Sequence, residues 1–179
     1  MNKRQDIMQT AERLFYNNGF HATSTDRICN DAGVSTRTLY RYFPTREVLT
    51  VCVLEARKKR FFAPRHPSHH PQAIAKLFSA MEEWMQQHGT GGCFFVKAWG
   101  EYAGRDLMLA AQALDYRYAA RDYIVSCLRH SHGADSAALA NAIWMLFEGA
   151  TTAAMIIGPA AAASAGDAAQ QLMKAGASL

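Results

Sequence analysis

The segment Val34-Ser35-Thr36-Arg37-Thr38-Leu39-Tyr40-Arg41-Tyr42-Phe43-Pro44 sets the pattern for the N-terminal third of the chain. Ser35 is placed to cap a helix through its side-chain oxygen, and Pro44 forces the residue before it out of helical geometry. The segment is therefore predicted to form about two turns of helix. Leu39 and Phe43 share one face, so hydroxyls, arginines and tyrosines cover the rest of the surface. Such a surface is typical of a helix that contacts nucleic acid.

A second short helix is predicted directly before this segment. It begins at Ser24 or Thr25, and Ile28 and Cys29 supply a narrow apolar face. The turn between the two helices has three or four residues and contains Gly33. Two short helices joined in this way indicate a helix-turn-helix.

Amphipathic helices are predicted on both sides of this motif. The first contains Ile7, Leu14 and Phe15 at helical spacing and ends near Gly19, which suits a helix C-terminal cap. The later helix is capped by Thr45 and ends in four consecutive basic residues, 57–60. We interpret these four as a solvated face, because the end of this helix should point away from bound DNA.

Charge is divided unevenly along the 179 residues. Residues 1–60 hold eleven basic and six acidic side chains, whereas residues 61–179 hold eight basic and nine acidic ones. A basic module that binds a polyanion, joined to a neutral module, fits this division. Half of the residues are apolar, which excludes global disorder.

Other classes of protein lack support in the sequence. The polar N-terminus has no signal-peptide core, and the apolar run of residues 142–158 is interrupted by Glu148 and shorter than a membrane span of about 20 residues. The four cysteines are widely separated, without a Cys-x-x-Cys pair. We therefore expect a cytoplasmic protein without a membrane segment.

Four motifs carry a resemblance to a known family: Thr23-Ser24-Thr25, Ala32-Gly33-Val34-Ser35, Leu39-Tyr40-Arg41-Tyr42-Phe43 and Arg46-Glu47-Val48-Leu49. They resemble the TetR family of bacterial transcriptional regulators, over roughly the first sixty residues. Two positions depart from the common pattern, Cys29 where alanine is usual and Arg46 where lysine is usual.

The resemblance implies an all-α fold with two domains. Residues 1–62 would form a three-helix DNA-binding domain with the start of the fourth helix, and residues 63–179 a helical ligand-binding and dimerisation domain. The expected function is that of a repressor which binds a palindromic double-stranded DNA operator as a homodimer. A small, largely apolar or aromatic effector would release it, and no cofactor or metal is implied.

The same resemblance assigns DNA contacts to particular residues. Thr36, Arg37 and Thr38 would lie deepest in the major groove, and the guanidinium of Arg37 matches the two acceptors of guanine. Other polar side chains would hold phosphates and fix the register. The alternative is a small polar domain whose side chains are merely solvated. The full predicted set is Thr25, Ser35, Thr36, Arg37, Thr38, Tyr40, Arg41, Tyr42 and Arg46.

A second set of helices is predicted beyond the Pro- and His-rich residues 64–71. Amphipathic patterns cover residues 74–85 and 94–102, and longer helices are predicted over residues 106–130 and 137–157. We expect the apolar helix 137–157 to be buried against its own domain and a partner subunit. The Ala-rich residues beyond Pro159 suggest one short final helix.

Aromatic and methionine side chains on these helices are the candidates for effector binding. Aromatic and methionine side chains at helical spacing more often belong to the hydrophobic core. Effector binding and core packing therefore both stay open as interpretations. Glu148 is either a polar anchor in the cavity or the dimer interface, or is exposed at one edge. The candidates are Trp84, Met85, Phe94, Trp99, Tyr102, Tyr116, Tyr123, Met145 and Phe147.

Catalysis and metal sensing are the competing functions. No nucleophile, zinc-protease or nucleotide-binding motif occurs, so we predict no catalytic residues and no enzyme activity. His66, His69 and His70 are interpreted as part of a linker rather than a metal site. Cys93 and Cys127 are expected to be buried rather than redox-active. The alternative function keeps DNA binding but senses a metal or an oxidant through these residues.

Overall fold

The computed structural model describes residues 2–134 and 136–176, and within them the chain forms helices and no β-strand. The predicted all-α fold class is confirmed. The described helices are α1 Lys3–Asn18, α2 Thr25–Asp31, α3 Thr36–Tyr42, α4 Arg46–Phe62, α5 Ala73–His88, α6 Phe94–Tyr102, α7 Leu107–His132, α8 Ala137–Ile157 and α9 Ala160–Gly176.

The predicted helix starts in the N-terminal part are confirmed in atomic detail. Ser24 accepts a hydrogen bond from the backbone N–H of Arg27, and Ser35 accepts one from that of Thr38. Thr45 likewise accepts from the backbone N–H at position 48, at 3.3 Å. The turn between α2 and α3 contains Gly33 at a φ of 63°, a conformation that side chains with a Cβ rarely adopt. The helix starts and the turn of the helix-turn-helix are therefore determined by interactions between residues close together in the sequence.

The chain forms two compact units. Unit 1 comprises residues 1–59 and 94–115, and unit 2 comprises residues 60–93 and 116–179. This division differs from the predicted boundary after residue 62, because α6 and the start of α7 pack with the N-terminal helices. The predicted functional division into residues 1–62 and 63–179 stays a prediction.

Aromatic packing explains why α6 belongs to unit 1. Phe20 is fully buried, and its ring centroid lies 4.8 Å from that of Phe15 on α1. The same ring lies 5.0 Å from Phe94 and 5.7 Å from Tyr102, both on α6. Buried aromatic pairs of this kind contribute both burial and favourable ring geometry.

One basic residue at the end of α4 is not solvated as expected. Arg57 is only 6% exposed, and its guanidinium donates to the Glu12 carboxylate at 2.6 Å. It also lies over the rings of Tyr16 and Phe94, at 5.2 and 4.8 Å from their centroids. The solvated interpretation of residues 57–60 is therefore wrong for Arg57. Sequence spacing does not reveal a partner 45 positions away.

In unit 2, α9 packs against both α5 and α8. It is longer than the short final helix that we predicted, at 17 residues. Alanine has the highest helix propensity, and small residues let helices approach closely. At Gly166 a Cβ would lie 2.9 Å from the Cβ of Phe78, so a larger residue there would force α9 and α5 apart.

Helix α8 is the most apolar element of unit 2. By length and composition alone, its 21 residues would suffice to cross a membrane, with a mean hydropathy of 1.3 over its most apolar window. Only 28% of that window is buried within the chain. Its exposed large apolar side chains are Met145, Met155, Ile156 and Ile157, each more than half exposed.

Candidate nucleic-acid interface

Helix α3 has one buried and one exposed face. Leu39 is 1% exposed, and Phe43 directly after the helix is fully buried. Thr36 and Arg37 are exposed, as are Tyr40 and Tyr42, at 44% and 36%. Large aromatic side chains that lie open on a short helix indicate a contact surface rather than a core.

The first turn of α3 is held by a network around Ser35. The Ser35 hydroxyl accepts from the backbone N–H of Thr38 at 3.1 Å and lies 3.0 Å from the Thr38 hydroxyl. This network orders the residues that we expect to lie deepest in the groove. The guanidinium of Arg37 extends from the same turn and is exposed to solvent.

Replacing Ser35 by alanine should lower the free energy of unfolding by about 1 kcal/mol, because the cap of α3 is lost, whereas glycine should cost only a few tenths. Urea denaturation of the DNA-free protein, followed by circular dichroism, measures both. Equal stability of the alanine and glycine variants would contradict a capping role.

The predicted phosphate contacts have different surroundings. The guanidinium of Arg41 lies 5.1 Å from the ring centroid of Tyr42 and 3.4 Å from its hydroxyl, so the two form one exposed pair. Thr25 is the first residue of α2 and is partly exposed. Arg46 is half-buried, and it donates to the Phe20 carbonyl at 2.5 Å. Its role as a phosphate contact stays a prediction, and the structure gives its guanidinium an intramolecular partner.

The helix-turn-helix lies in a region of the chain that is similar to known proteins. Residues 7–51 match the family model described as bacterial regulatory proteins, tetR family. Over these residues the chain is similar to the TetR family. The match covers most of α1, all of α2 and α3, and the start of α4, and therefore the whole helix-turn-helix.

Curated relatives align with a part of the chain. The HTH-type transcriptional regulator UidR from Escherichia coli K12 is 33% identical over 60 residues, which are 34% of this chain and 31% of the relative. UidR from Shigella flexneri aligns to the same extent. The chain thus covers about a third of the length of these relatives.

Solved structures of low sequence identity share the fold over nearly the whole chain. A TetR-family transcriptional regulator from Streptomyces coelicolor has a TM-score of 0.87 at 23% identity, with 97% of this chain and 89% of that chain covered. Reduced NemR from Escherichia coli has a TM-score of 0.77 at 20% identity, with 96% and 98% covered. GusR from Salmonella enterica has a TM-score of 0.72 at 20% identity, with 96% and 95% covered. The helices beyond residue 60 thus also follow a known arrangement.

The predicted effector-binding residues are divided between the two units. Phe94, Trp99 and Tyr102 belong to unit 1, where Phe94 and Tyr102 pack on Phe20 and Trp99 is partly exposed. The others belong to unit 2. Their role in ligand binding stays a prediction. The members in unit 2 are Trp84, Met85, Tyr116, Tyr123, Met145 and Phe147.

An aromatic cluster in unit 2 forms around Phe61. Its ring centroid lies 5.5 Å from that of Trp84, 5.4 Å from Tyr116 and 6.2 Å from Phe147. Three of the predicted ligand residues thus share one neighbour, which the sequence pattern did not single out. Met145 is 60% exposed and belongs to the uncovered surface of α8.

Glu148 has a partner that the sequence did not reveal. Its carboxylate accepts from Arg117 of α7 at 2.6 Å, and both side chains are largely buried. Burial raises the pKa of Glu148 and outweighs the opposing effect of the Arg117 guanidinium. The interpretation of Glu148 as exposed at one edge is therefore wrong. Its role as a polar anchor, in a cavity or in a dimer interface, stays a prediction.

Two of the three linker histidines, His69 and His70, border a cavity of about 220 Å³ in unit 2. Its lining includes His69, His70, His130 and Cys127. Across residues 2–134 and 136–176, no three or more histidine, cysteine or acidic side chains are grouped to hold a metal ion. Burial raises the pKa of the Cys127 thiol, which disfavours the reactive thiolate.

Proposed function

We propose that the chain is a ligand-responsive transcriptional repressor that binds a palindromic DNA operator as a homodimer. The observation that carries this proposal is the exposed polar face of α3, with an ordered first turn, in a matched TetR-family domain. Side chains that hydrogen-bond to base edges distinguish one DNA sequence from another, while cations and tyrosine hydroxyls bind the phosphates. The cytoplasm is the compartment in which such a regulator meets its DNA.

Selection of bound duplexes from fragments of the source genome tests DNA binding. We expect enrichment of a palindrome, followed by saturable binding in fluorescence anisotropy that weakens as salt is raised. Equal affinity for the selected duplex and for a scrambled duplex of the same composition would contradict the proposal. The genes next to the selected fragments would also indicate the class of effector.

Dimer formation is supported by an uncovered apolar surface on the C-terminal helices. On α8, Met155, Ile156 and Ile157 are 56%, 87% and 58% exposed, and Leu172 on α9 is 40% exposed. Contiguous apolar surface of this kind is rare on monomers and is typical of obligate interfaces. We infer that α8 and α9 pair with the same helices of a second copy.

Replacing Ile156 by glutamate should weaken the dimer by about 2 kcal/mol or more, because a charge would have to be buried in the interface. Sedimentation equilibrium measures the change in dissociation constant. Leu107→Glu is the matched control, since Leu107 is 80% exposed but lies in unit 1. An unchanged dimer in Ile156→Glu, or an equal effect of the control, would place the interface elsewhere.

An apolar or aromatic effector is supported by the aromatic cluster around Phe61. Addition of single aromatic compounds to the complex with the selected duplex should identify one that releases the DNA. The proposal predicts that a chelator and a thiol reductant leave operator affinity unchanged. If either reagent alters that affinity while aromatic compounds have no effect, metal or oxidant sensing replaces the proposed effector.

A further inference from the structure

The cavity of unit 2 that is lined by His69, His70 and His130 has features of a small-ligand site. We call it the histidine cavity. Its walls come from the connection between α4 and α5, the start of α5, the last turns of α7 and the last turn of α9, all within unit 2. The aromatic residues grouped around Phe61 do not line it, so it is separate from that cluster.

The volume of the cavity limits the size of a ligand. Pockets for drug-sized molecules usually measure roughly 300–1,000 Å³. The histidine cavity has about 220 Å³, which at about 30 Å³ for each water molecule corresponds to roughly seven waters. It therefore suits a molecule of about ten non-hydrogen atoms.

The floor of the cavity is apolar. Ala73 and Ile74 of α5 are 2% and 3% exposed, and the buried Cys127 of α7 lies beside them in the lining. Met173 of α9 adds a further apolar side chain. Such a floor favours a ligand that carries an apolar part, because contact with it removes apolar surface from water.

The orientation of the His70 ring decides which groups it can bind. Its Nδ1 accepts a hydrogen bond from the backbone N–H of Gln72 at 3.1 Å. A backbone N–H only donates, so in this geometry Nδ1 carries no hydrogen and the neutral ring carries it on Nε2. The ring also packs on that of His66, with 4.8 Å between the centroids. His70 thus brings an N–H donor to the lining, and such a nitrogen does not ligate a metal ion.

The other polar groups of the lining also donate hydrogen bonds. The rings of His69 and His130 lie 6.2 Å apart and almost perpendicular to each other, one on the connection before α5 and one on α7. Ser68 and Ser131 add hydroxyl groups. No carboxylate occurs among the described residues that line the cavity. An acceptor group with negative charge fits this set of donors, and charge-assisted hydrogen bonds are the stronger class.

The helix ends at the cavity also favour a negative charge. Helix α5 begins at Ala73, and its N-cap residue provides no side-chain hydrogen bond to the first turn. The positive end of its dipole therefore lies at the cavity floor. The end of α7 has the opposite polarity, which Arg129, His130 and His132 of its last turn offset.

We propose that the histidine cavity binds a small monocarboxylate, with the carboxylate at the three imidazoles and the apolar part on Ala73 and Ile74. Benzoate has the required size and both parts. Inorganic phosphate would use the donors but not the apolar floor. The proposal goes beyond the proposed function, because it adds a second ligand site and does not depend on DNA binding.

Isothermal titration calorimetry of the full chain tests the ligand class with three probes. Benzoate should bind with a dissociation constant of about 0.1–1 mM. Benzamide has the same shape without the charge and should bind at least about tenfold more weakly. Phosphate should also bind more weakly than benzoate. Benzamide or phosphate that binds as tightly as benzoate would overturn the proposal.

Nuclear magnetic resonance locates the bound benzoate. It should shift the ring signals of His69, His70 and His130 and leave the indole N–H signal of Trp84 unchanged. A shift of the Trp84 signal without shifts of the three histidines would place benzoate in the aromatic cluster and overturn the proposal. In the free protein the His70 ring should carry its hydrogen on Nε2, and a hydrogen on Nδ1 would remove the basis for a donor there.

Two variants and a control test the imidazoles. His130→Ala and His69→Ala remove exposed rings and should each weaken benzoate binding about tenfold. Arg129→Ala is the matched control, because it removes a positive charge from an exposed neighbour that does not line the cavity. An equal loss in the control would indicate general attraction to the surface, and unchanged binding in both histidine variants would place the site elsewhere. Either result overturns the proposal.

Zn²⁺ is the competing ligand. Zn²⁺ that binds more tightly than about 10 μM and loses affinity in His130→Ala would identify a metal site and overturn the proposal. None of these measurements contains DNA. A failure of operator binding would therefore leave the carboxylate site standing, and an absence of benzoate binding would leave the DNA-binding proposal standing.

Discussion

Glu12→Ala is expected to lower the free energy of unfolding by about 3 kcal/mol, a larger effect than the loss of a helix cap. The Arg57 guanidinium is 6% exposed and loses the carboxylate that lies 2.6 Å away, so a buried positive charge is deprived of this counter-charge. Urea denaturation at one fixed protein concentration measures the change, because a dimer's stability depends on concentration.

The control for this prediction is Glu55→Ala, which removes an exposed carboxylate from α4 and should change stability by less than about 0.5 kcal/mol. Replacing Glu12 and Arg57 together by leucine and methionine should recover much of the loss, since buried ion pairs exchange well for apolar residues. If Glu12→Ala costs no more than the control, the pair does not stabilise unit 1.

Arg37→Ala is expected to weaken operator binding by about 1–3 kcal/mol and to abolish the preference for guanine at one position of each half-site. Arg37 is exposed and lies in the ordered first turn of α3. Two of the N–H donors of its guanidinium can match the two acceptors of guanine. Anisotropy titrations against the selected palindrome and single-base variants measure both effects.

Two variants separate base contact from general attraction. Tyr40→Ala should weaken binding to all duplexes alike, because a phosphate contact carries no sequence information. Arg129→Ala removes an equal charge from an exposed position in unit 2 and should have little effect. An equal loss on operator and scrambled DNA for Arg37→Ala would show that Arg37 holds a phosphate instead.

The helix-turn-helix was predictable because its determinants are local. Ser24, Ser35 and Thr45 cap their helices through hydrogen bonds three residues away, and Gly33 supplies a positive φ that the turn requires. Each of these signals lies within a few residues of the structure that it specifies. The same holds for the exposed face of α3, which follows from the positions of Leu39 and Phe43.

The contacts of α6 were not predictable from such signals. The aromatic pattern of α6 predicted a helix and suggested an effector site, but it did not indicate that Phe94 and Tyr102 pack on Phe20. Nor did it predict that this helix would join unit 1 rather than the later helices. Helical periodicity identifies which face is buried, and it carries no information about the partner.

The sequence by itself determined the all-α class, the helix-turn-helix and the polar surface of its recognition helix, since caps, turns and periodicity act over one to four residues. Only the tertiary structure decided the partners of Arg46, Arg57 and Glu148, which lie 26 to 45 positions away in the chain. A charged side chain becomes buried only where the fold supplies an opposite charge or a free backbone group. Whether such a charge or backbone group lies nearby depends on how helices distant in the sequence pack together. No short stretch of sequence specifies that packing.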